Sequence, residues 1–335
     1  MSKILPVFLP FASCHYKCIF CDQQAISGVE INSDLLNHAK SQILKWKTYS
    51  NAYDEIAYYG GNFAAIDKSI RISLYEEAHK NGIDKIRFST RPDTINNETL
   101  KEIAEYKIHM VELGIQSLDN NVLKHNIRPY TAQEAIEAVD RVSEITNCGV
   151  QLMTGMYKQN IYSSIDDAEV LSKKNIKTAR IYPTQVLKNT HLFQLYKSGE
   201  YVPCNMQETI LSAGGMFIHF TANNVKVIRM GLPEDAVESN QVAAGPWHES
   251  FGDIIKTFVM LLYMDKGGKI KYSGYKKIGR ELFLNNYNEY REPSNSDMED
   301  ICRELRGYYL EDSKWFIKSK ATEYAGKLKD KANNR

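Results

Sequence analysis

Three cysteines lie close together near the N-terminus, in the segment Cys14-His15-Tyr16-Lys17-Cys18-Ile19-Phe20-Cys21, which we call the cysteine loop. The C-x3-C-x2-C spacing allows one short loop to bring three thiolates around a common centre. An iron–sulfur cube ordinarily takes four protein thiolates, so three leave one iron open for a substrate or cofactor. A structural zinc ion requires four donors in a closed tetrahedron, and His15 could be the fourth only through a strained loop. The spacing therefore favours an iron–sulfur cluster over zinc.

Four further segments place polar groups next to glycine or proline, each at the carboxyl end of a predicted strand. They are Tyr59-Gly60-Gly61-Asn62-Phe63, Phe88-Ser89-Thr90-Arg91-Pro92-Asp93, Glu112-Leu113-Gly114-Ile115-Gln116-Ser117 and Arg180-Ile181-Tyr182-Pro183-Thr184. Barrel enzymes carry their active sites at these strand ends. We therefore expect the four segments and the cysteine loop to lie at one end of a barrel.

Together these segments resemble the radical S-adenosylmethionine (SAM) superfamily. Within it, they are similar to bacterial proteins related to the radical SAM domain of the Elongator catalytic subunit, and more distantly to oxygen-independent coproporphyrinogen III oxidase. The resemblance extends to about Glu249. It implies that Cys14, Cys18 and Cys21 are the catalytic, metal-binding residues, which bind a [4Fe-4S] cluster whose open iron chelates SAM. Reductive cleavage of SAM would then yield a 5′-deoxyadenosyl radical, with an electron donor such as flavodoxin or ferredoxin.

The resemblance also implies which residues bind SAM. Gly60 and Gly61 have no Cβ, so their backbone can approach the SAM amino group closely, and Asn62 stands where the family often has Glu. Arg128, in Asn126-Ile127-Arg128-Pro129, matches the position that pairs with the SAM carboxylate, for which a guanidinium fork is suited.

Other cofactor-binding residues are expected on the neighbouring strands. Glu112 and Gln116 alternate inward on one strand and could bind the ribose hydroxyls and the methionine part. The remaining expected residues are Phe20, Ser89, Arg91, Gly155 and Tyr182. Loop anchoring is the alternative for Arg91, and core packing for Tyr182. His248, in an Ala-Gly-Pro-Trp-His segment, is a candidate substrate contact, with capping or packing as its alternative.

The elements that position these residues alternate between short apolar segments and longer periodic ones. Predicted strands are Ile4–Leu9, Glu55–Tyr59, Lys85–Ser89, Met110–Ile115, Gly149–Thr154, Thr178–Tyr182 and Lys226–Met230. Predicted helices are Ser33–Lys47, Lys68–Asn81, Asn97–Tyr106, Ala132–Thr146, Ser163–Lys174 and Gln207–Ala222, with Ser33, Asn96 and Thr131 as N-caps. Such alternation predicts an α/β fold, a partial or complete parallel (β/α) TIM-type barrel at 1–232. A mostly helical C-terminal extension that packs on the barrel is predicted for 233–335.

Composition excludes several classes of protein. The 335 residues include 42 basic and 41 acidic ones, so no global field recruits nucleic acid or an anionic membrane. The longest apolar stretch of the C-terminal half, Phe258–Met264, is far shorter than the roughly 20 residues that cross a bilayer, and the N-terminus has no secretory signal pattern. Six cysteines are too few for a disulfide scaffold. We therefore expect a cytoplasmic protein without membrane contact.

The substrate remains open at this point: a small molecule, a peptide or an RNA base. Residues 266–280 are basic with interleaved tyrosines, which indicates either a solvated loop or a weak RNA or phosphate contact. One alternative function is therefore modification of a tRNA or other RNA base by the same radical chemistry. Another is a non-catalytic RNA-binding protein whose metal loop is structural. The residues beyond Glu249 are too few for the acetyltransferase domain of the Elongator subunit, so acetyl transfer is not expected.

Overall fold

The structure, a computed structural model, describes residues 3–29, 34–50, 52–232, 241–268 and 294–306. Its strands are β1 (Ile4–Phe8), β2 (Glu55–Tyr59), β3 (Lys85–Thr90), β4 (Met110–Gln116), β5 (Asn147–Thr154), β6 (Thr178–Pro183), β7 (Val186–Leu187), β8 (Lys226–Met230) and β9 (Val242–Ala244). Seven of them form one parallel sheet in the order β1-β2-β3-β4-β5-β6-β8, and β7 pairs with β9 in a separate antiparallel ladder. The main sheet curls into a half-barrel, so the predicted barrel is confirmed in its partial form.

Helices connect the strands and surround the sheet. They are α1 (Gln23–Ser27), α2 (Leu35–Tyr49), α3 (Lys68–Lys80), α4 (Asn97–Glu105), α5 (Asn120–His125), α6 (Ala132–Ser143), α7 (Ser163–Ser172), α8 (His191–Lys197), α9 (Met206–Ala222), α10 (Phe251–Asp265) and α11 (Asn295–Arg306). None of the helices in the described ranges is long and apolar enough to cross a membrane.

The two faces of the sheet differ in chemistry. Since successive side chains of a strand point to opposite faces, the outer positions of the sheet form one continuous apolar row against the helices. Ile56, Val111, Val150 and Ile181 are fully buried there. The inner positions include the charged residues Glu55, Arg87, Glu112 and Arg180, which leaves the lumen able to hold polar molecules.

Local signals account for most of the helix and strand limits. Asn96 and Thr131 act as N-caps, as expected, by accepting hydrogen bonds from Thr99 N and Glu134 N. The first predicted cap is wrong: Ser33 lies outside the described residues, and α2 begins after Asp34, whose carboxylate accepts from Asn37 N.

The predicted boundary at residue 232 stays a prediction. After it, β9 pairs with β7, and α10 and α11 both pack on α9. Residues 269–280 of the basic segment 266–280 lie outside the described residues, and so do residues 307–335.

Candidate active site

The cysteine loop follows β1, and the residues on either side of it accept hydrogen bonds from backbone groups of the glycine turn after β2. Gly61 N donates to Oε1 of Gln23 over 2.6 Å, and Asn62 N donates to the carbonyl of Ala12 over 2.8 Å. A Cβ on Gly61 would come within 2.5 Å of both backbone N and O of Ala12. Glycine is therefore required here by the close approach of two backbones, and Gly60 likewise lies against Leu9.

The three thiols of the loop differ in exposure. Cys18 is buried, and Cys14 and Cys21 are partly buried. Burial raises the pKa of the Cys14 and Cys21 thiols, and the charge of Cys18 adds to this rise. Arg91 and Arg128 oppose this rise for Cys14.

Arg128 contacts the loop directly. Its Nη1 donates to Cys18 Sγ over 3.0 Å, its Nε donates to the hydroxyl of Tyr130 over 2.7 Å, and its Nη2 donates to the carbonyl of Gly114. The Tyr130 hydroxyl in turn donates to the carbonyls of Gly114 and Ile115. The guanidinium is therefore fixed between the cysteine loop and the end of β4. Tyr130 was not among the predicted site residues, although it lies two residues after Arg128.

Gln116 ends β4 next to this guanidinium. It has a left-handed backbone, with φ at 70°, and the residue is 9% exposed. Its Oε1 is a buried acceptor that has no partner in the described part of the chain. Since buried acceptors are nearly always hydrogen-bonded, this oxygen is suited to a ligand that brings a donor. The expected contact of Gln116 with SAM stays a prediction, and Oε1 is the atom available to make it.

Asn62 and Arg91 hold neighbouring loops together. The amide oxygen of Asn62 accepts from the Thr90 hydroxyl over 2.6 Å and from Arg91 N over 3.1 Å. Arg91 forms a two-bond ion pair with Asp93 and lies over the Tyr16 ring at 5.6 Å. These contacts agree with the loop-anchoring alternative for Arg91. The SAM contacts expected of both residues stay predictions.

Charged side chains line the inner face below the cysteine loop. Arg87 donates to both carboxylate oxygens of Glu55 and to Oε1 of Glu112. Arg180 donates to both oxygens of Glu112 and, over 3.0 Å, to the hydroxyl of Tyr59. Burial alone would raise the pKa of Glu112, but Arg180 and Arg87 outweigh it and hold that pKa below its ordinary value.

The charged network bears on the predicted role of Glu112. Both of its oxygens are bonded to arginines, so ribose hydroxyls would have to share them. Ser89 lies beside it on the inner face, within 3.4 Å of the Gln151 amide. Sequence reasoning did not single out Arg87 or Glu55, although each places a charge within a predicted strand, and that was the available signal.

An apolar wall flanks the site on the side of β5 and β6. Phe20 of the cysteine loop and Tyr182 of β6 pack against Met153, Met156 and Val122. Tyr182 is half-buried, so it combines partial core packing with an accessible surface. The wall places apolar surface beside the thiols, where it would exclude water.

Gly155 and His248 both contact other residues of the protein. Gly155 has φ at 76°, accepts from the Tyr201 hydroxyl over 2.6 Å, and would put a Cβ 2.9 Å from Cys204 Sγ. His248 Nδ1 accepts from Ser250 N over 3.0 Å, and burial lowers its pKa. These contacts agree with the capping alternative for His248. The ligand contacts proposed for both residues stay predictions.

The donor set fits an iron–sulfur cluster better than a single ion. Three soft thiol donors on one loop, with a cation hydrogen-bonded to one of them, match the ligands and surroundings of such clusters. Among the described residues, no group of three or more Cys, His, Asp or Glu is close enough to hold one metal ion.

Comparison with known proteins gives matches along most of the chain. The model of the Radical SAM superfamily matches residues 8–168, and that of the Radical_SAM C-terminal domain matches residues 176–259. An uncharacterised protein of Methanocaldococcus jannaschii is 26% identical over 212 residues, which cover 59% of this chain and 65% of that protein. The tRNA uridine(34) acetyltransferase of the same organism is 23% identical over 340 residues, covering 87% of this chain and 60% of the enzyme.

The fold also matches a solved structure. Elp3 from Methanocaldococcus infernus, with an N-terminal deletion, superposes with a TM-score of 0.62 and 17% identity, over 84% of this chain and 68% of that one. At this identity the match supports the fold alone. The chain spans between 60% and 65% of the length of the two curated relatives described above.

Proposed function

Because this chain belongs to the radical SAM superfamily, we propose that it cleaves SAM reductively at a [4Fe-4S] cluster bound by Cys14, Cys18 and Cys21. The observation that carries the proposal is the C-x3-C-x2-C loop after β1, with Arg128 donating to the Cys18 sulfur over 3.0 Å. When bound, the cluster and SAM would supply one electron and a 5′-deoxyadenosyl radical, which abstracts hydrogen from the substrate.

The chain's own residues hold and protect this chemistry. Arg128 places a fixed positive charge against the Cys18 sulfur through a hydrogen bond. Gln23 and Gly61 hold the loop in position, and Phe20 and Tyr182 cover one side with apolar surface. Exclusion of water matters because a reactive intermediate must meet its substrate before it meets solvent.

We propose that SAM lies across the ends of β2 to β6, above the charged inner face. Gln116 offers an unpartnered oxygen there, and Arg128 stands beside it. Backbone groups at Gly60 and Gly61, and side chains at Ser89 and Tyr182, complete the proposed contacts. A one-electron donor such as flavodoxin or ferredoxin, in the cytoplasm, completes the proposed system.

Modification of a tRNA base is a second candidate function. It is favoured by the relative that carries the name tRNA uridine(34) acetyltransferase, whose match covers 87% of this chain. The radical step would be the same, and the substrate would be a nucleobase. Incubation of the enzyme, SAM and a reductant with total tRNA, followed by mass spectrometry of the nucleosides, tests this candidate.

Anaerobic reconstitution with iron and sulfide tests the main proposal. We expect visible Fe–S absorbance, about four irons per chain, and release of 5′-deoxyadenosine after dithionite and SAM are added. Cys14→Ala, Cys18→Ala and Cys21→Ala should each lose the absorbance and the product. Cys302→Ala is the matched control, because this thiol is buried on α11, outside the loop. One zinc per chain without Fe–S absorbance would overturn the proposal, as would a loaded protein that never yields 5′-deoxyadenosine with any substrate class tested.

A further inference from the structure

Two arginines occupy neighbouring positions on the inner wall of the half-barrel. Arg180 of β6 and Arg229 of β8 are register partners in a parallel pair, so their side chains leave the sheet on the same face. Ile181 and Met230, the next pair, pack into the outer core. The arginines therefore point into the lumen.

The charges of the inner wall do not balance. Within the described residues, Glu55 and Glu112 pair with Arg87 and Arg180, and Arg229 has no carboxylate partner. Its Nε donates only to the carbonyl of Gly231, over 3.3 Å. Lys85 and Lys226 lie exposed at the opposite strand ends and add only positive charge. Like charges on adjacent strand positions repel one another, and no carboxylate among the described residues balances Arg229.

Both arginines retain donors that bond to no other described residue. Arg180 uses Nε and Nη2 for its contacts, which leaves Nη1, and Arg229 uses only Nε. None of these remaining nitrogens is among the buried atoms that lack a partner in the described part of the chain. An incoming group can therefore bond to them.

The position of this pair relative to the cysteine loop is set by the register of the sheet. Arg180 pairs with Gln151, and Gln151 pairs with Gly114, whose carbonyl accepts from Arg128. Two strand spacings separate Gly114 from Arg180, which is roughly 10 Å. A small molecule can span that distance between the cofactor end and the arginines.

We propose that Arg180 and Arg229 bind an anionic group of the substrate, a phosphate or a carboxylate, on the inner wall of the half-barrel. This inference rests on the proposed function and names its substrate class. Guanidinium groups suit both anions, because they offer paired donors in a plane. Anchoring the substrate at its anionic end would fix which C–H bond faces the radical source, and this positioning lowers the barrier of the following step.

Titration with simple anions tests the proposal. Inorganic phosphate and acetate are added at constant ionic strength to the full-length, cluster-loaded, SAM-saturated protein without reductant, and binding is followed by 31P and 13C line widths. Acetamide serves as the neutral match for acetate. We expect saturable binding of at least one anion and none of acetamide. Arg229→Gln should weaken anion binding at least tenfold, and Arg229→Lys, which keeps the charge, should weaken it less.

Arg303→Gln is the matched control, since this arginine lies on the surface of α11 and should leave anion binding unchanged. Circular dichroism checks that each variant is folded. Equal anion affinity in wild type, Arg229→Gln and Arg229→Lys would overturn the proposal, as would no saturable binding to wild type. Saturable binding of phosphate or acetate that appears only when SAM is left out would also overturn it, because the arginines would then serve the cofactor.

The same titration on metal-free protein separates this inference from the proposed function. Neither arginine contacts the cysteine loop in the described structure, so anion binding that depends on Arg229 should persist without the cluster. Loss of 5′-deoxyadenosine formation with intact anion binding would count against the SAM chemistry only. Normal 5′-deoxyadenosine formation without anion binding would count against the anion site only.

Discussion

The Nη1 atom of Arg128 donates a hydrogen bond to Sγ of Cys18 over 3.0 Å, and so connects the loop after α5 to the cysteine loop. The two residues are 110 positions apart in the chain. A charged donor at a ligating sulfur stabilises negative charge there, and hydrogen bonds to cluster sulfurs are among the factors that set the reduction potential.

Arg128→Gln should therefore lower the midpoint potential of the bound cluster. We expect a shift of some tens of millivolts, since ~60 mV corresponds to ~1.4 kcal/mol for a one-electron couple. Potentiometric titration followed by EPR measures it. Arg128→Lys retains the charge and should shift the potential less. An unchanged potential together with a weakened SAM affinity would contradict this prediction and favour the carboxylate-binding role expected from the sequence.

Gly61→Ala should displace the cysteine loop. The added methyl group would meet the backbone of Ala12 at 2.5 Å, and the residue also has φ at 68°. Gly82→Ala is the matched control, because Gly82 has φ at 74° but nothing within 4 Å of the added Cβ. Both variants should lose about 1–2 kcal/mol of folding stability, because alanine disfavours the left-handed backbone. Only Gly61→Ala should also bind less of the cluster. Iron analysis and thermal unfolding measure the two effects, and equal iron content in both variants would refute the packing argument.

Glu112→Gln should strongly destabilise the half-barrel. The carboxylate is 1% exposed and neutralises both Arg87 and Arg180. Removal of one member of a buried ion pair costs about 3–5 kcal/mol, because the partner charges stay buried. Glu98→Gln is the comparison, since its ion pair with Lys68 is largely exposed and should contribute less than about 1 kcal/mol. Urea unfolding gives both values, and a similar small loss for the two variants would show that the network is dispensable.

Asp167 should make stability depend on pH. Its side chain is 6% exposed and accepts from the Ser117 hydroxyl over 2.9 Å, and burial raises its pKa from 3.8 to about 6. The native state therefore binds this proton more tightly than the unfolded state. The contribution of this proton to the free energy of unfolding totals about 3 kcal/mol. It is complete below about pH 4 and is lost as the pH rises through 6.

Asp167→Asn should remove this loss of stability with rising pH. We expect the free energy of unfolding of the variant to exceed that of wild type by a margin that grows between pH 4.5 and pH 8, as measured by urea unfolding. Asp84→Asn, whose side chain is 95% exposed, should give a curve parallel to that of wild type. A parallel curve for Asp167→Asn as well would mean that the carboxyl group titrates normally in the native state.

The strands and the main helices could be predicted because their signals are local. β2 and β8 match their predicted limits, and the caps at Asn96 and Thr131 lie where the pattern indicated. The short elements were missed: α1 and α8 have five and seven residues, too few for a helical period to be recognised. The pairing of β7 with β9 joins segments more than fifty residues apart, and no local pattern reveals that.

By itself, the amino-acid sequence determined the cysteine spacing, the order of the strands along the chain and the end of each strand at which polar residues gather. These properties depend on neighbours within a few positions, where spacing and periodicity act. Only the tertiary structure decided that Arg128 contacts Cys18, that Glu112 is held between two arginines, and that Arg229 faces the lumen without a carboxylate among the described residues. Those relationships depend on strand register and on loops brought together from distant parts of the chain, and burial then makes each unpaired charge or acceptor energetically significant.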